Sequence, residues 1–173
     1  MRIHLKKNYH VITMDELVEG IKSKRHFSHN TVVITIDDGY QNNYTYAYPV
    51  LKKYGFPAMV FLVANSMGSN TFLTWDEIKE MSQNGISFGA HTKNHVYLPL
   101  IKDKNVLWDE ISGSKEMIER RAGFSVRYFC YPSGGFTKEI QSLVVKAGYR
   151  AAFSTNRGYD YQNNKDFYEL RRV

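Results

Sequence analysis

Two short polar segments contain the side chains with the clearest capacity for chemistry. One segment reads TIDDG and contains the adjacent carboxylates Asp37 and Asp38, and the other reads HTKNH and contains His91 and His95. Catalytic zinc sites commonly use three protein ligands of these types and leave one coordination position open for water. Three of the four side chains would satisfy that requirement, and one carboxylate would remain to act as a base. The two segments therefore predict a metal-dependent hydrolase.

Each segment on its own has a simpler interpretation. Asp-Asp-Gly sequences are frequent in ordinary turns, and two histidines can lie near a helix start without sharing a function. Residues four apart in a helical turn, however, lie on one face, so His91 and His95 can bind one ion if this segment forms such a turn. The combination favours a metal site with Zn²⁺ as the first choice, although Co²⁺, Ni²⁺ and Fe²⁺ also accept these ligands.

The regions around these segments repeat a pattern of helix, glycine and strand. Four helical stretches end at a glycine and are followed almost at once by a short apolar run, and these glycines are Gly55, Gly85, Gly123 and Gly148. Glycine is favoured at this position because it adopts the left-handed conformation that ends many helices. Short connections from helix to strand are typical of α/β folds.

The predicted helix starts agree with this pattern. Thr13 and Thr74 each precede a glutamate by three residues, as in a capping box, and Thr137 is a further candidate N-cap. The range 106–121 has apolar residues at helical spacing, which indicates a helix with one face in the core. Alternating helices and strands predict a mainly parallel sheet or barrel with the helices outside it.

Polar loops follow four of the predicted strands. The loops contain residues 37–39, 91–95, 132–135 and 154–156. The carboxyl ends of parallel strands lie at one edge of a sheet, and the active sites of α/β proteins assemble there. We therefore expect the four loops to form one site in a single domain of residues 1–173. A polar loop over 159–166 and a last short strand near Leu170 complete the prediction.

The composition predicts a globular protein with a basic surface. Of the 173 residues, 43% are hydrophobic and 14% are aromatic, the formal net charge is +6, and the sequence pI is about 9.3. The positive charge favours anionic surroundings, such as an anionic cell surface. Lysine and arginine form no long block and the usual nucleic-acid-binding motifs are absent from the sequence, so we expect no nucleic-acid partner.

The sequence contains neither a disulfide pair nor an evident membrane segment. Cys130 is the only cysteine, which excludes an intrachain disulfide. No apolar stretch approaches the roughly 20 residues of a membrane-spanning helix, and no signal peptide is recognisable at Met1. Residues 3–7 instead read as the end of a helix whose start is missing, which is consistent with a domain truncated at its N-terminus.

The two polar segments resemble the first two motifs of the polysaccharide deacetylases, the NodB-homology domains of carbohydrate esterase family 4. The TIDDG segment is similar to the family motif T-[FI]-D-D-G, and the HTKNH segment is similar to H-[ST]-x-x-H. The resemblance implies an α/β fold in the form of a distorted, incomplete (β/α) barrel. It also implies that Asp37 is the catalytic base and that the metal ligands are Asp38, His91 and His95.

The third motif departs from the family pattern R-x-P-[YF]-G. Cys130 stands where an arginine normally orients the base, and Ser133 stands where an aromatic side chain normally lines the groove. Some biofilm-type poly-N-acetylglucosamine deacetylases also lack that arginine, and the chain most resembles these. We expect Tyr131, Pro132 and Ser133 to contact the substrate or its oxyanion, and Arg172 to supply the missing positive charge.

A general acid for the departing amine is not evident from the sequence. The family often places a histidine in a late motif, but no histidine follows His95. Biofilm-type members have a Tyr-His segment upstream of the base instead. The upstream histidines of this chain do not match that segment, and they are His4, His10, His26 and His29.

The sequence as a whole predicts removal of N-acetyl groups from an N-acetylglucosamine polymer, either an exopolysaccharide or peptidoglycan. Such a substrate implies a location outside the cell or in the cell envelope. Three alternatives stay open on the sequence alone. The first is removal of O-acetyl groups from xylan, the second is a catalytically weak, metal-containing carbohydrate-binding domain, and the third is an amidohydrolase for a small cyclic amide.

Overall fold

The computed structural model describes residues 8–155 and 167–172, over which strands and helices alternate. The strands in these ranges are β1 (His10–Val11), β2 (Thr31–Val32), β3 (Thr35–Ile36), β4 (Ala58–Leu62), β5 (Ile86–Ala90), β6 (Tyr128–Cys130) and β7 (Ala151–Phe153). The α-helices are α1 (Met14–Lys22), α2 (Tyr48–Tyr54), α3 (Trp75–Ser82), α4 (Lys104–Trp108), α5 (Ser114–Ala122) and α6 (Lys138–Lys146). Two π-helical segments, Asn43–Ala47 and Asp109–Gly113, lead directly into α2 and α5.

The main sheet is parallel and curled. Its five strands follow the order β3-β4-β5-β6-β7, and β1 pairs separately with β2. Leu170 adds an isolated parallel bridge to Phe153 at the far edge. From there Arg172 reaches back to β3, where its Nη1 lies 3.2 Å from Oγ1 of Thr35. The two edges of the sheet therefore approach each other, as the predicted incomplete (β/α) barrel requires.

The two faces of the sheet carry separate hydrophobic clusters. Phe61 of β4 contacts Phe153 of β7 with 5.6 Å between ring centroids, although two strands lie between them, so both rings are on the concave face. Helix α1 packs against this inner cluster through Met14, Val18 and Ile21. The convex face packs against the other helices. Because both faces are covered, β4 is buried at every position and reads as a continuous apolar run.

The helix ends confirm the signals in the sequence. Thr13 and Thr74 form capping boxes at the starts of α1 and α3, and the Thr137 side chain accepts a hydrogen bond at the start of α6. Gly55 and Gly123 follow α2 and α5 with φ angles of 66° and 80°. These left-handed conformations are open to glycine at little cost.

Other expectations are modified or lie outside the described residues. The range 106–121 is helical, but a π-helical segment interrupts the α-helical hydrogen bonding at 109–113. The strand expected near Leu170 is an isolated bridge. The expectations for residues 3–7, residue 156 and the loop 159–166 fall outside the described ranges. Among the helices of the described ranges, none combines the length and the apolar character that a membrane crossing demands.

Gly89 gives a test of packing inside the barrel. It is the cross-strand neighbour of Phe61, and a β-carbon on Gly89 would lie 2.6 Å from Cδ1 of Phe61 and 2.9 Å from the carbonyl oxygen of Tyr128. We expect Gly89→Ala to lower the free energy of unfolding by about 1–3 kcal/mol, because an added methyl group must displace a buried ring or a strand. Denaturant unfolding measures this change.

The matched control is Ser87→Ala on the same strand. Ser87 is exposed, so its replacement should change the free energy of unfolding by less than about 0.5 kcal/mol. Equal stability of the Gly89→Ala variant and the wild type would contradict the close contact between Gly89 and Phe61.

Candidate active site

Asp37 and Asp38 follow β3 in a turn that has two consecutive left-handed residues. The φ angles of Asp38 and Gly39 are 72° and 77°, and the Gly39 N–H donates to the Asp37 carbonyl oxygen over 3.0 Å. A β-carbon on Gly39 would lie 2.8 Å from Cδ2 of Leu62. Glycine suits this position because it adopts the left-handed backbone angle at little cost and because a β-carbon would force the ends of neighbouring side chains to shift. The turn directs the two neighbouring carboxylates to different partners.

Asp37 forms a bidentate ion pair with Arg172. The Nη1 and Nη2 groups of Arg172 donate to the two carboxylate oxygens of Asp37, each over 2.7 Å. The guanidinium carbon lies 5.8 Å from the centre of the Phe61 ring, and Nη2 lies 3.1 Å from Sγ of Cys130. Two parallel hydrogen bonds to a planar guanidinium hold the Asp37 carboxylate in one orientation.

The charges of this pair are set by burial and by the contact itself. Burial raises the pKa of Asp37, but the hydrogen bonds and positive charge of Arg172 lower it, and the result is a pKa below the ordinary value. Asp37 is therefore ionised at neutral pH. Burial raises the pKa of the Cys130 thiol, so this side chain is a small neutral group and not a nucleophile.

Asp38 lies beside both histidines of the second segment. Its Oδ1 is 3.6 Å from Nε2 of His91 and 3.3 Å from Nε2 of His95. Nδ1 of His91 lies 2.7 Å from the carbonyl oxygen of Cys130. A carbonyl oxygen only accepts hydrogen bonds, so Nδ1 carries the proton and Nε2 directs a lone pair toward Asp38. Burial lowers the pKa of His91, which favours this neutral form.

These three side chains fit a divalent metal ion. Their donor atoms all lie within 4.8 Å of one another. Oδ1 of Asp38 is buried and accepts no hydrogen bond from any residue in the ranges 8–155 and 167–172. An unshared carboxylate oxygen facing an imidazole lone pair is unfavourable unless a proton or a cation lies between them. One carboxylate and two imidazoles are a donor set that zinc accepts while leaving a position open.

A second cluster of possible ligands is less suitable. The donor atoms of Asp37, His91 and Cys130 also lie within 4.8 Å of one another. Both oxygens of Asp37, however, are already bonded to Arg172, and the raised pKa of Cys130 disfavours the thiolate that would bind a metal. The cluster of Asp38 with the two histidines is the better candidate.

The histidine segment is a loop, and the expectation of a helical turn is wrong. Residues 91–95 contain two left-handed backbone conformations, with φ angles of 65° at Thr92 and 56° at His95. Oγ1 of Thr92 accepts the His95 N–H over 3.0 Å. This folded loop, and not helical spacing, places the two rings edge to face with centroids 4.9 Å apart.

The third loop places its three predicted residues in different environments. Tyr131 is fully buried, its N–H donates to the Phe153 carbonyl oxygen, and its hydroxyl donates to the Tyr168 carbonyl oxygen. Pro132 is buried and has no N–H to donate. Ser133 is exposed, with a φ angle of 53°. Of the three, only Ser133 presents its side chain to solvent, while Tyr131 supports the loop from the core.

The sequence did not point to Glu110, which is buried and accepts hydrogen bonds from the histidine loop, residues 91–95. The available signal was its place on the apolar stripe of the 106–121 helix, where an acidic residue needs a partner. His10, His26 and His29 are exposed and belong to neither ligand cluster of the described residues, and His4 lies outside those residues.

Comparison with known proteins identifies the family. The family model for polysaccharide deacetylases matches residues 24–152, which is well over half of the chain. The chain therefore belongs to the polysaccharide deacetylase family. The two motifs at Asp37 and His91 lie inside the matched range.

Individual relatives extend the similarity along the chain. YxkH of Bacillus subtilis is 33% identical over 165 residues, which cover 95% of this chain and 58% of YxkH. The poly-β-1,6-N-acetyl-D-glucosamine N-deacetylase of Staphylococcus aureus is 28% identical over 160 residues, which cover 85% of this chain and 55% of that enzyme. The chain thus spans little more than half the length of either relative.

A solved structure supports the fold. The deacetylase PplD of Streptococcus pyogenes, in complex with acetate, superimposes with a TM-score of 0.90 at 27% sequence identity. The alignment covers 98% of this chain and 75% of that chain. The curled parallel sheet with outer helices is therefore the incomplete (β/α) barrel of the NodB-homology type.

Arg172→Leu tests the ion pair at Asp37. The substitution leaves a partly buried carboxylate without its cation, and we expect the free energy of unfolding at pH 7 in chelator to fall by about 1–3 kcal/mol. Because the folded-state pKa of Asp37 is lowered, the pair stabilises the fold above the unfolded pKa of about 3.9. That stabilisation is lost as the pH falls through the folded-state pKa. The difference between variant and wild type should therefore shrink toward pH 3 in urea unfolding.

The control for this prediction is the double variant Asp37→Asn/Arg172→Leu. The double variant also removes the negative charge of Asp37, which has no partner in the single variant. It should therefore be more stable at pH 7 than Arg172→Leu alone. A stability difference between Arg172→Leu and the wild type that did not vary with pH would contradict an ionised, paired Asp37.

Proposed function

We propose that the chain is a metal-dependent deacetylase that removes N-acetyl groups from a polymer containing N-acetylglucosamine, an exopolysaccharide or peptidoglycan. The observation that carries the proposal is the approach of Asp38 to His91 and His95 beside an ionised Asp37. Membership of the family supports deacetylation. The relative that acts on poly-β-1,6-N-acetyl-D-glucosamine supports this class of polymer.

Asp38, His91 and His95 would hold the metal ion. Zn²⁺ matches their mixture of oxygen and nitrogen donors best, and Co²⁺, Ni²⁺ and Fe²⁺ are also compatible. When bound, a divalent ion supplies Lewis-acid polarisation of the acetyl carbonyl group and lowers the pKa of a neighbouring water. The hydrogen bond from His91 to the Cys130 carbonyl keeps Nε2 of this ligand unprotonated.

Asp37 acts as the general base in this proposal. It accepts a proton from the water that attacks the acetyl carbon, and for this it must be ionised and correctly oriented. Arg172 meets both needs through its bidentate contact, which lowers the pKa of Asp37 and fixes the carboxylate plane. Arg172 thus supplies the charge that an arginine at the position of Cys130 would supply in the family pattern.

The loop after β6 would face the developing oxyanion. Ser133 is its exposed member, and the backbone N–H of Ser133 is the candidate for hydrogen bonding to the oxyanion, because the N–H groups of Tyr131, Gly134 and Gly135 already donate to carbonyl oxygens. Tyr131 and Pro132 are buried and support the loop from the core. When the bond between the acetyl carbon and the sugar nitrogen breaks, the nitrogen takes up a proton, and the products are acetate and a free amino sugar.

The proposal extends to the setting of the enzyme. A polymer substrate of this kind lies outside the cell or in the cell envelope, so we place the protein there. The net charge of +6 favours association with an anionic cell surface. We treat residues 1–173 as one deacetylase domain.

Asp37→Asn tests the base assignment. The amide keeps the shape of the side chain but cannot accept the water proton, so acetate release should fall by a factor of about 100 or more. Zinc content, measured by mass spectrometry of the purified protein, should stay at the wild-type level because the three ligands are intact. Wild-type rates of acetate release in this variant would refute the assignment.

The contrasting variants separate the base from the metal ligands. His95→Gln should lose both zinc and activity, because it removes a ligand from the cluster. His29→Gln is the matched control, since His29 is exposed and belongs to neither ligand cluster, and it should keep both.

A panel of polymers tests the substrate class. We expect acetate release from poly-N-acetylglucosamine or peptidoglycan to exceed release from acetylated xylan at least about tenfold, in line with the family relative. A chelator should abolish release, and added Zn²⁺ or Co²⁺ should restore it. Release from xylan alone would indicate an esterase, and polymer binding without any acetate release would indicate a carbohydrate-binding domain.

A further inference from the structure

Glu110 is a buried carboxylate that no step of the proposed reaction uses. It is 4% exposed and is the second residue of the π-helical segment Asp109–Gly113. Its Oε2 accepts the backbone N–H groups of Lys93 and Asn94 over 2.9 and 3.0 Å, and its Oε1 accepts the side-chain amide of Asn94. One carboxylate thus satisfies three donors of the histidine loop.

The donors that Glu110 accepts from lie between the two histidines of the candidate metal site. Lys93 and Asn94 lie in the chain between His91 and His95, so Glu110 bonds to the backbone that joins the two imidazoles. A buried N–H without an acceptor is costly. Glu110 is the acceptor for two partly buried N–H groups in succession.

The opposite side of the loop is held through its carbonyl groups. The N–H of Ala64 donates to the Thr92 carbonyl oxygen over 3.1 Å, and the N–H of Asn65 donates to the Lys93 carbonyl oxygen over 2.9 Å. Both donors belong to the turn that follows β4. The loop is therefore fixed between this turn, which bonds to its carbonyls, and Glu110, which bonds to its N–H groups.

The loop needs such support because its backbone is strained. Thr92 is β-branched, fully buried and has a φ angle of 65°, and His95 has a φ angle of 56°. Left-handed conformations of this kind are unfavourable for residues with a β-carbon, most of all for β-branched ones. They persist where the surrounding contacts determine the backbone fully.

The helical segment that carries Glu110 has features that favour this contact. The π-helical segment directs both Asp109 and Glu110 to the loop, since Oδ2 of Asp109 lies 2.8 Å from Nζ of Lys93. A β-carbon on Gly113 would collide with the Asp109 carboxylate. Single π-helical turns are frequent at functional sites.

We propose that Glu110 is a positioning residue for the metal ligands. By fixing the backbone of Lys93 and Asn94, its carboxylate sets the separation of the His91 and His95 rings and so the affinity of the site for a divalent metal. The inference rests on the proposed function, because it assigns these histidines to a metal. A glutamine is a weaker support than Glu110, since it carries no negative charge and, when its one oxygen accepts the two backbone N–H groups, its N–H₂ group faces the amide donor of Asn94.

The test compares zinc binding by Glu110→Gln and by the wild type. Both proteins are stripped of metal, and Kd for Zn²⁺ is measured by competition with a chromogenic chelator. We expect Kd to rise about 10- to 100-fold, as is usual when a residue that orients metal ligands is removed. The matched control is Glu116→Gln on α5, where the exposed glutamate accepts from Ser112 and does not contact the loop. Its Kd should stay within about twofold of the wild type.

The outcomes distinguish the inference from the proposed function. Tight zinc binding by the wild type and an unchanged Kd in Glu110→Gln would overturn the inference alone, and so would a lower melting temperature with an unchanged Kd. Failure of the wild type to bind zinc would overturn the proposed function and the inference with it.

A measurement on the wild type covers the case in which Glu110→Gln does not fold. In the metal-free protein, the amide hydrogens of Lys93 and Asn94 should exchange with solvent as slowly as those of β5, because a buried carboxylate accepts them. Exchange as fast as that of an open loop would overturn the inference.

Discussion

The closeness of Asp38 to two imidazoles is the constraint on which the site depends. The proton of His91 is held on Nδ1 by the Cys130 carbonyl, so the Nε2 lone pair faces a buried carboxylate oxygen that accepts no hydrogen bond from the described residues. Such an arrangement is locally unfavourable, because a carboxylate oxygen and an imidazole lone pair repel each other. The backbone must impose it, and the left-handed residues Asp38, Thr92 and His95 show where it does. A cation between the donors would turn this repulsion into attraction.

The second feature of the site is a positive charge beside Asp37, and it comes from Arg172, the residue that was expected from the sequence to supply it. Cys130, at the end of β6, is small and neutral, and it leaves room for a guanidinium that comes from beyond β7. Arg172 reaches Asp37 only because the sheet curls until its two edges approach each other. A guanidinium group can reach Asp37 from different positions in a sequence, here from Arg172 and, in the family pattern, from the position of Cys130.

The interior of the barrel connects the fold to this charge. Gly89 has no side chain, so the Phe61 ring lies against β5, and the Arg172 guanidinium lies over the same ring. The aromatic face favours a cation, and the bidentate contact with Asp37 holds that cation in place. The Phe61 ring thus links the packing at the centre of the sheet to the ion pair at its carboxyl edge.

The sequence by itself determined the features that depend on neighbouring residues. Capping boxes at Thr13 and Thr74, the glycine helix ends and the alternation of helices with apolar strands are short-range signals, and they were enough to predict a parallel α/β sheet with its polar loops at one edge. The two motifs also carried the residues that the structure brings together. Only the tertiary structure decided how they meet. Arg172 was expected from the family pattern to supply a positive charge, but its bidentate contact with Asp37 was not specified by the sequence. That contact depends on the curl of the sheet, as do the burial of Tyr131 and the contact from Glu110, and the non-helical path of residues 91–95 depends on left-handed backbone angles. No local sequence pattern specifies these features, because they result from packing between elements that are distant in the chain.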